Sequence, residues 1–546
     1  MILILLSTIL IIPTLIGWGR ISEYLLTPLF KGISGKIFSG VLTISLIWTV
    51  ISFFIPLNLY VEIPTILLGL LYFFKDKLYK EFTLFSKKDY FLFFMISLII
   101  LFCGSFYPYM IDHFGYYVPS IKWLTEYGTI KGISNLNPVI GQMSIWHIFQ
   151  AGFSNLADPF LRINTVLLIV YILYIIEKKC WIHLCFLPFL LMFSQSPSPD
   201  LPVIIFSLVI LNEIVKQNKE TTILFIFSAF VFAIKPTMIW LPILSFAYSI
   251  FITKSGFKSL IPGISILILF CIKNIYTFGY PIFPISVGDV GVSWKPNPDI
   301  LKTSSEIAIQ KTYDMQYSYQ QIQQFSWFDY VKNWFFLHGM KSKINILFVI
   351  SLIIFTGFAF IKKNRIITLI CISVLIKSIL VISFSAQYRF FIDVFFVIFF
   401  IMFMNYFDQK KSLIIFSVFS IFFIGFISIP QLVKKHFQSF YLGNFMKEPE
   451  VEQIYKPSVY KTIDYNSYKI GNLNFNVSRK YPLNYNIPLP AISEGYVFEY
   501  VKAGIFPQLI DETNMKSGFI WKKLNSEEKK EAENVINSIN NLYKQK

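Results

Sequence analysis

Long apolar runs separated by short polar connections dominate the first 430 residues. They lie near 2–18, 38–57, 60–74, 90–107, 160–177, 181–194, 200–215, 222–252, 259–277, 344–361, 366–385, 388–407 and 412–430. A helix that crosses a bilayer needs about 20 apolar residues, and fewer where neighbours shield its ends. The pattern therefore predicts an all-α polytopic membrane protein. The run 222–252 is too long for one crossing and contains Lys235-Pro236. Proline removes a backbone donor there, so two short helices meeting at Lys235 are expected, for about 13–14 transmembrane helices altogether.

The polar connections alternate in charge. Lys75, Lys77, Lys80, Lys87 and Lys88 fall in one, Lys178 and Lys179 in another, followed by Lys216/Lys219, Lys254/Lys258, Lys362/Lys363/Arg365 and Lys410/Lys411. The short connections at 57–60, 195–199 and 386–387 carry neither Lys nor Arg. Cytoplasmic loops concentrate Lys and Arg, and the alternation holds only if 222–252 crosses twice. It places the N-terminus outside, with 106–159, Ser194–Asp200, 279–343 and everything after Pro430 on the same outer face. Met1–Gly17 lacks a basic n-region and a small-residue cleavage site, so it reads as a retained helix.

Three regions result: N-terminal helices over 1–89, a transmembrane core over 90–430 with its two large outer connections, and an outer tail over 431–546. In the tail, Leu473–Val477 and Tyr496–Val501 alternate with the strand period. Asn525 and Glu528 form a capping-box pattern ahead of Ala532, Val535, Ile536, Ile539 and Leu542, an apolar helical stripe. A small α+β tail is expected. Gln323–Gly339 is aromatic with Asp329 and Lys332 interspersed, the pattern of a helix at headgroup depth.

Composition narrows the function classes. Hydrophobic residues make up 55% of the chain and charged residues 14%, too apolar for a soluble protein of this length. The net charge of +17 sits in lysine clusters between apolar runs, so it reports membrane orientation and excludes a nucleic-acid role. Cys103, Cys180, Cys185, Cys271 and Cys371 have no metal-binding spacing and read as small buried hydrophobes.

Ionisable groups at membrane depth or at helix mouths mark candidate sites. The connection Phe106–Asn155 holds Asp112, His113, Tyr116, Glu126 and His147 among many Trp and Tyr residues. Asp200 opens a helix, Lys235 lies at the proline break, Lys273 ends a run, and Arg389 begins another. All would meet at the outer boundary. Asp112 and Asp200 are the candidate catalytic carboxylates; His113, Tyr116, Lys235, Lys273 and Arg389 are the candidate substrate-binding groups. Cations can hold a phosphate leaving group while a carboxylate orients or deprotonates an acceptor hydroxyl. Paired carboxylates can also hold a divalent ion, which leaves metal use open with Asp112 and Asp200 as its ligands. Asp200 equally suits the first turn of a helix, and Lys235 and Arg389 equally suit snorkelling to headgroups. Lys377 falls near mid-membrane and must face a partner or a cavity.

The ordered set Asp112, Tyr116–Trp123, Gly128, Gly141–Trp146, Asp200, Lys235-Pro236, Lys273-Asn274, Gly279–Pro284 and Tyr388-Arg389 resembles the GT-C superfamily of integral membrane glycosyltransferases. It is similar to the protein O-mannosyltransferase and aminoarabinose transferase types, and closest to bacterial multi-pass members. The resemblance covers roughly 90–410. It departs in its three preceding helices, in its tail, and in reading Asp112-His113 where many members have two acids. It implies a GT-C-like core in a bacterial inner membrane. Its donor would be a polyprenyl-phosphate-linked sugar and its acceptor a glycan or lipid. A polysaccharide polymerase or ligase is the related alternative; a lipid-linked glycan transporter is the alternative of another class.

Overall fold

The computed structural model describes residues 1–436, 446–460, 464–479, 483–484 and 486–544. The first helices are α1 Ile2–Ser22, α2 Ile33–Ser52, α3 Leu59–Lys75, α4 Lys87–Gly104, α5 Val118–Glu126 and α6 Ile145–Gly152. Next come α7 Ile163–Lys178, α8 Leu187–Leu190, α9 Asp200–Val215, α10 Thr221–Ile234, α11 Trp240–Ala247 and α12 Ile261–Phe278. The long connection carries α13 Pro298–Thr312, α14 Tyr319–Gln323 and α15 Trp327–Phe335. The bundle closes with α16 Met340–Lys362, α17 Arg365–Phe384, α18 Tyr388–Phe403, α19 Gln409–Ser428 and α20 Pro430–His436.

Among the described residues, six segments are long and apolar enough to cross a membrane: Ile2–Ser22, Ile33–Ser52, Phe257–Phe278, Met340–Lys362, Arg365–Phe384 and Gln409–Ser428. The chain is thus mostly helical and reads as a multi-pass membrane protein. The other apolar runs form shorter or more polar helices, several enclosed by their neighbours: every residue of α7 from Ile163 to Ile176 is buried. The run 181–194 is not one helix. It folds as the short turns Trp181–Cys185, Leu187–Leu190 and Leu191–Phe193. Helix α10 ends at Lys235, whose backbone is extended (φ −148°, ψ 112°), and Pro236 starts a new turn, as its missing donor requires.

Local chemistry sets the helix ends. Ser86 and Asp89 form a capping box on α4, Asn364 caps α17 and Asp408 caps α19. Helix α12 stops at Gly279, which takes φ 93°; a Cβ there would stand 2.7 Å from Lys295. The three N-terminal helices share the core of the rest. Trp48 of α2 lies against Phe149 and Phe153, and Gly152 leaves the space its ring occupies.

The two ends of the bundle differ in chemistry. At one end Arg20 pairs with Asp76, Lys36 with Glu81, and Lys178 donates to the Lys31 carbonyl. At the other end lie 106–159, 279–343 and the tail. Leu3 N–H donates to Tyr455 O, and Ser458 N–H to Ser105 O. Phe519 N–H donates to Lys131 O, and Trp521 Nε1 to Lys295 O.

The tail is small and α+β. Strands β1 Tyr465–Ile470 and β2 Leu473–Ser478 pair antiparallel, Tyr465 opposite Ser478 and Ile470 opposite Leu473. Strands β3 Ile505–Leu509 and β4 Phe519–Lys523 pair antiparallel, Ile505 opposite Lys523. The strand expected at Tyr496–Val501 is instead helical, within α21 Glu494–Lys502. Val497 and Tyr500, three apart, are both buried on one helical face, and Tyr500 meets Phe506 of β3. Helix α22, Ser526–Lys544, is capped by Asn525 and Glu528 and buries Ala532, Val535 and Ile539; the Leu542 side chain lies outside the described residues. Gln323–Gly339 is not one helix either, because a Ser326–Asp329 capping box starts α15 afresh.

Candidate functional site

Four chain segments deliver charge to one point. Asp112 leads into a π-helical turn, His113–Tyr117, which widens the backbone before α5. Asp200 opens α9, Lys235 sits in the break after α10, and Arg389 lies in the first turn of α18. Arg389 Nη1 donates to Asp112 Oδ2 at 2.8 Å. Lys235 Nζ is ion-paired with Asp200 Oδ1 and also reaches the Arg389 carbonyl at 3.3 Å. Both cations share the Phe390 ring, 5.4 Å from Lys235 Nζ and 5.0 Å from the guanidinium carbon. Ser198 Oγ donates to Asp200 Oδ2 at 3.1 Å, and Tyr117 OH to Ser198 Oγ at 3.4 Å. The result is two ion pairs, Asp112–Arg389 and Lys235–Asp200, joined where Lys235 meets the Arg389 carbonyl and continued through Ser198 to Tyr117.

Beneath it lies a second pair. Lys377 is ion-paired with Asp393, and Trp240 Nε1 donates to the second Asp393 oxygen at 3.2 Å. Asp393 is one turn below Arg389 on α18. The Lys377 and Asp393 side chains are 1% and 6% exposed, against 41% for both Arg389 and Asp112. Above the site, Lys341 pairs with Asp314 and stands 5.7 Å from the Tyr388 ring.

The aromatic wall is next to the carboxylates. His147 is wedged between Tyr116 and Tyr117, with ring centroids 4.9 and 5.0 Å away. Burial pushes His147 down to about 3, with the Lys273 charge adding to it and the Pro197 carbonyl opposing, so the imidazole stays neutral. Burial, then the charge on Arg162, holds His113 well below the ordinary histidine value. Burial, then Asp112 and Asp200, raises the Tyr116 and Tyr117 phenols well above their ordinary values. These tyrosines can donate hydrogen bonds but cannot act as bases.

The structure brings Asp112, Asp200, Lys235 and Arg389 together, with Tyr116 and His113 buried beside them. It does not bring Lys273 into the cluster. Lys273 Nζ is buried and donates to the Gln142 and Met143 carbonyls at 2.7 and 2.8 Å. Those bonds hold the strained turn at Met143, where φ is 31°, and Ser144 Oγ then donates to Ile234 O just before Lys235. Lys273 thus supports the site from below. The partner of Lys377 was not apparent from the sequence; the lone carboxylate of the run YRFFIDVFF was its only signal. The sequence carries no signal for Arg162 either. This arginine is fully buried and donates to the carbonyls of Gly104, Phe160, Phe106 and Ser458, tying the tail to the bundle.

A divalent ion does not fit this donor set. Among the described residues no three His, Cys, Asp or Glu side chains converge on one point. Asp112 and Asp200 each face a cation of the protein.

Residues 1–396 match the model of a family described as a domain of unknown function, DUF8201, and the chain belongs to that family. No curated protein and no solved structure matches it.

Proposed function

Taking the chain as a member of that family, we propose that it is a membrane glycosyltransferase, moving a sugar from a polyprenyl-phosphate-linked donor to a glycan or lipid acceptor. The Asp112 end faces the outside of a bacterial inner membrane, because the opposite connections carry the Lys and Arg excess. One observation supports the reading above the others: two carboxylates and two cations, one pair of them 277 positions apart in the chain, meet at a helix mouth rather than along a path through the bundle. In the reaction the acceptor hydroxyl oxygen bonds to the anomeric carbon as the bond to the phosphate oxygen breaks. The hydroxyl proton passes to Asp112, and the phosphate leaves on the lipid as an anion. Arg389 stabilises that anion with its planar fork. Asp200, held by Lys235 and Ser198, orients the acceptor. The resemblance to GT-C enzymes in the order of motifs supports the same core.

A transporter would need charges along the membrane path. The mid-membrane candidate, Lys377, is neutralised by Asp393 and closed over by Trp240 and Met238. The transferase reading is therefore preferred. The test is Asp112→Asn as the sole copy in cells. Surface glycan should fall with a loss of transfer on the order of 10²–10⁴-fold, the range for a general base, at unchanged protein level. Normal glycan in that strain sinks the mechanism.

A further inference from the structure

Cations at the Asp112 end are mostly spoken for. Lys235 faces Asp200, Lys341 faces Asp314, Lys377 faces Asp393, and Lys273 faces two carbonyls. Lys311 is different. It lies in the last turn of α13, and that turn docks on the linker leading into α18: Ser385 Oγ donates to Ala308 O at 3.0 Å and lies 3.4 Å from Thr312 Oγ1. Arg389 is four residues beyond Ser385. Among the described residues no carboxylate oxygen stands within 4.0 Å of Lys311, although it is near enough to feel both Arg389 and Asp112. Arg389 is itself only partly used. One arm holds Asp112, while its Nε is buried without a hydrogen-bond partner among the described residues.

We infer that Lys311 and Arg389 form a binding site for a phosphate-class oxyanion, and that the Asp112 carboxylate is a placeholder which the oxyanion displaces. Guanidinium and ammonium groups recognise phosphate oxygens through charge-assisted bonds, the guanidinium with two parallel donors. The pair to be opened suits displacement. Asp112 and Arg389 are each 41% exposed, and exposed ion pairs contribute little, whereas Lys377–Asp393 is sealed. Crowding by protein, then the Arg389 charge, keeps the Lys311 ammonium below the ordinary lysine value, with Asp112 opposing. An incoming oxyanion relieves that repulsion. Displacement also has a chemical consequence. Asp112 leaves Arg389 as a free carboxylate, so the acceptor's base is unmasked only when the anion is in place.

The inference rests on the transferase reading only for what the oxyanion belongs to. Binding is therefore measured without sugar or acceptor. The full chain in phosphatidylcholine nanodiscs is titrated with inorganic pyrophosphate, and in a second arm its thermal shift is read in discs containing phosphatidic acid. Binding in the first arm assigns the site to a free phosphate; a shift in the second arm alone assigns it to a lipid headgroup. Lys311→Gln should weaken binding at least ten-fold, and Lys311→Arg should retain it. Asp112→Asn should bind several-fold more tightly than the wild type, since the internal competitor is gone. Unchanged binding by Lys311→Gln, unchanged or weaker binding by Asp112→Asn, or no response in either arm overturns the proposal. Intact binding with no sugar transfer would instead count against the transferase alone.

Discussion

Residues 106–159 and 279–343 leave the bundle at the same end, the first supplying Asp112 to the ion cluster and the second the Lys341–Asp314 pair above it, yet they are built differently. In the first, Trp123, Trp146 and His147 are fully buried, and Trp146 Nε1 donates to Asn164 Oδ1 at 2.8 Å. In the second, Trp327 is 84% exposed, Phe328 67% and Phe336 72%. Helix α15 is held mainly by one edge: Trp334 Nε1 donates to Ala386 O at 3.1 Å, and Asn345 Nδ2 donates to Trp334 O at 2.9 Å. The first connection is a floor, held because its aromatic side chains are packed inside the protein. The second is a cover whose outward face is aromatic. That face suits the headgroup boundary of a bilayer, where amphipathic aromatic rings collect. A site between a fixed floor and an edge-held cover can keep Asp112 and Asp200 in place while Lys311 and Lys341 adjust to a ligand.

The contrast can be tested in order of effect. Trp146→Ala in the floor should cost about 3–5 kcal/mol, the usual loss for a buried aromatic truncation, read by equilibrium unfolding in mixed detergent. A cost below about 1 kcal/mol would mean the floor is not packed as described. Next comes pH. His147 is neutral in the folded chain down to about 3, while an unfolded histidine takes its proton near 6.5. The unfolded state therefore binds more protons between those values, so stability is complete above pH 6.5 and falls as pH drops toward 3. His147 alone should account for about 2 kcal/mol between pH 7 and pH 5. His147→Phe should flatten that slope whatever its own cost; an unaltered slope would place the titration elsewhere. The smallest effect belongs to the cover. Trp327→Ser should change stability by no more than about 0.5 kcal/mol, as for other surface sites, but should reduce the tryptophan fluorescence shift on transfer from detergent to lipid discs. A loss comparable to that of Trp146→Ala would erase the distinction.

Much of this was legible in the chain. Apolar run length predicted a helical membrane protein, and Lys235-Pro236 marked a helix break where one occurs. Asn525 with Glu528 capped α22 as the spacing required, and Leu473–Val477 paired as a strand. These are local properties, set by propensity, proline geometry and side-chain-to-backbone bonds within a few residues. Tyr496–Val501 shows the limit: its alternation is compatible with a strand, but packing of Val497 and Tyr500 against neighbouring elements made it a helix.

The site divides the same way. Ionisable groups at helix mouths stood out in the sequence because burying charge is costly, so Asp112, Asp200, Lys235 and Arg389 could be singled out one at a time. Their pairing could not. Which cation faces which carboxylate depends on helices far apart in sequence lying side by side, and that choice left Lys273 with two carbonyls, gave Lys377 to Asp393, and left Lys311 with no carboxylate among the described residues. The sequence by itself determined the helices and the polar residues at their ends; only the tertiary structure decided the partners, because electrostatic pairing acts over a few ångströms of space and is indifferent to distance along the chain.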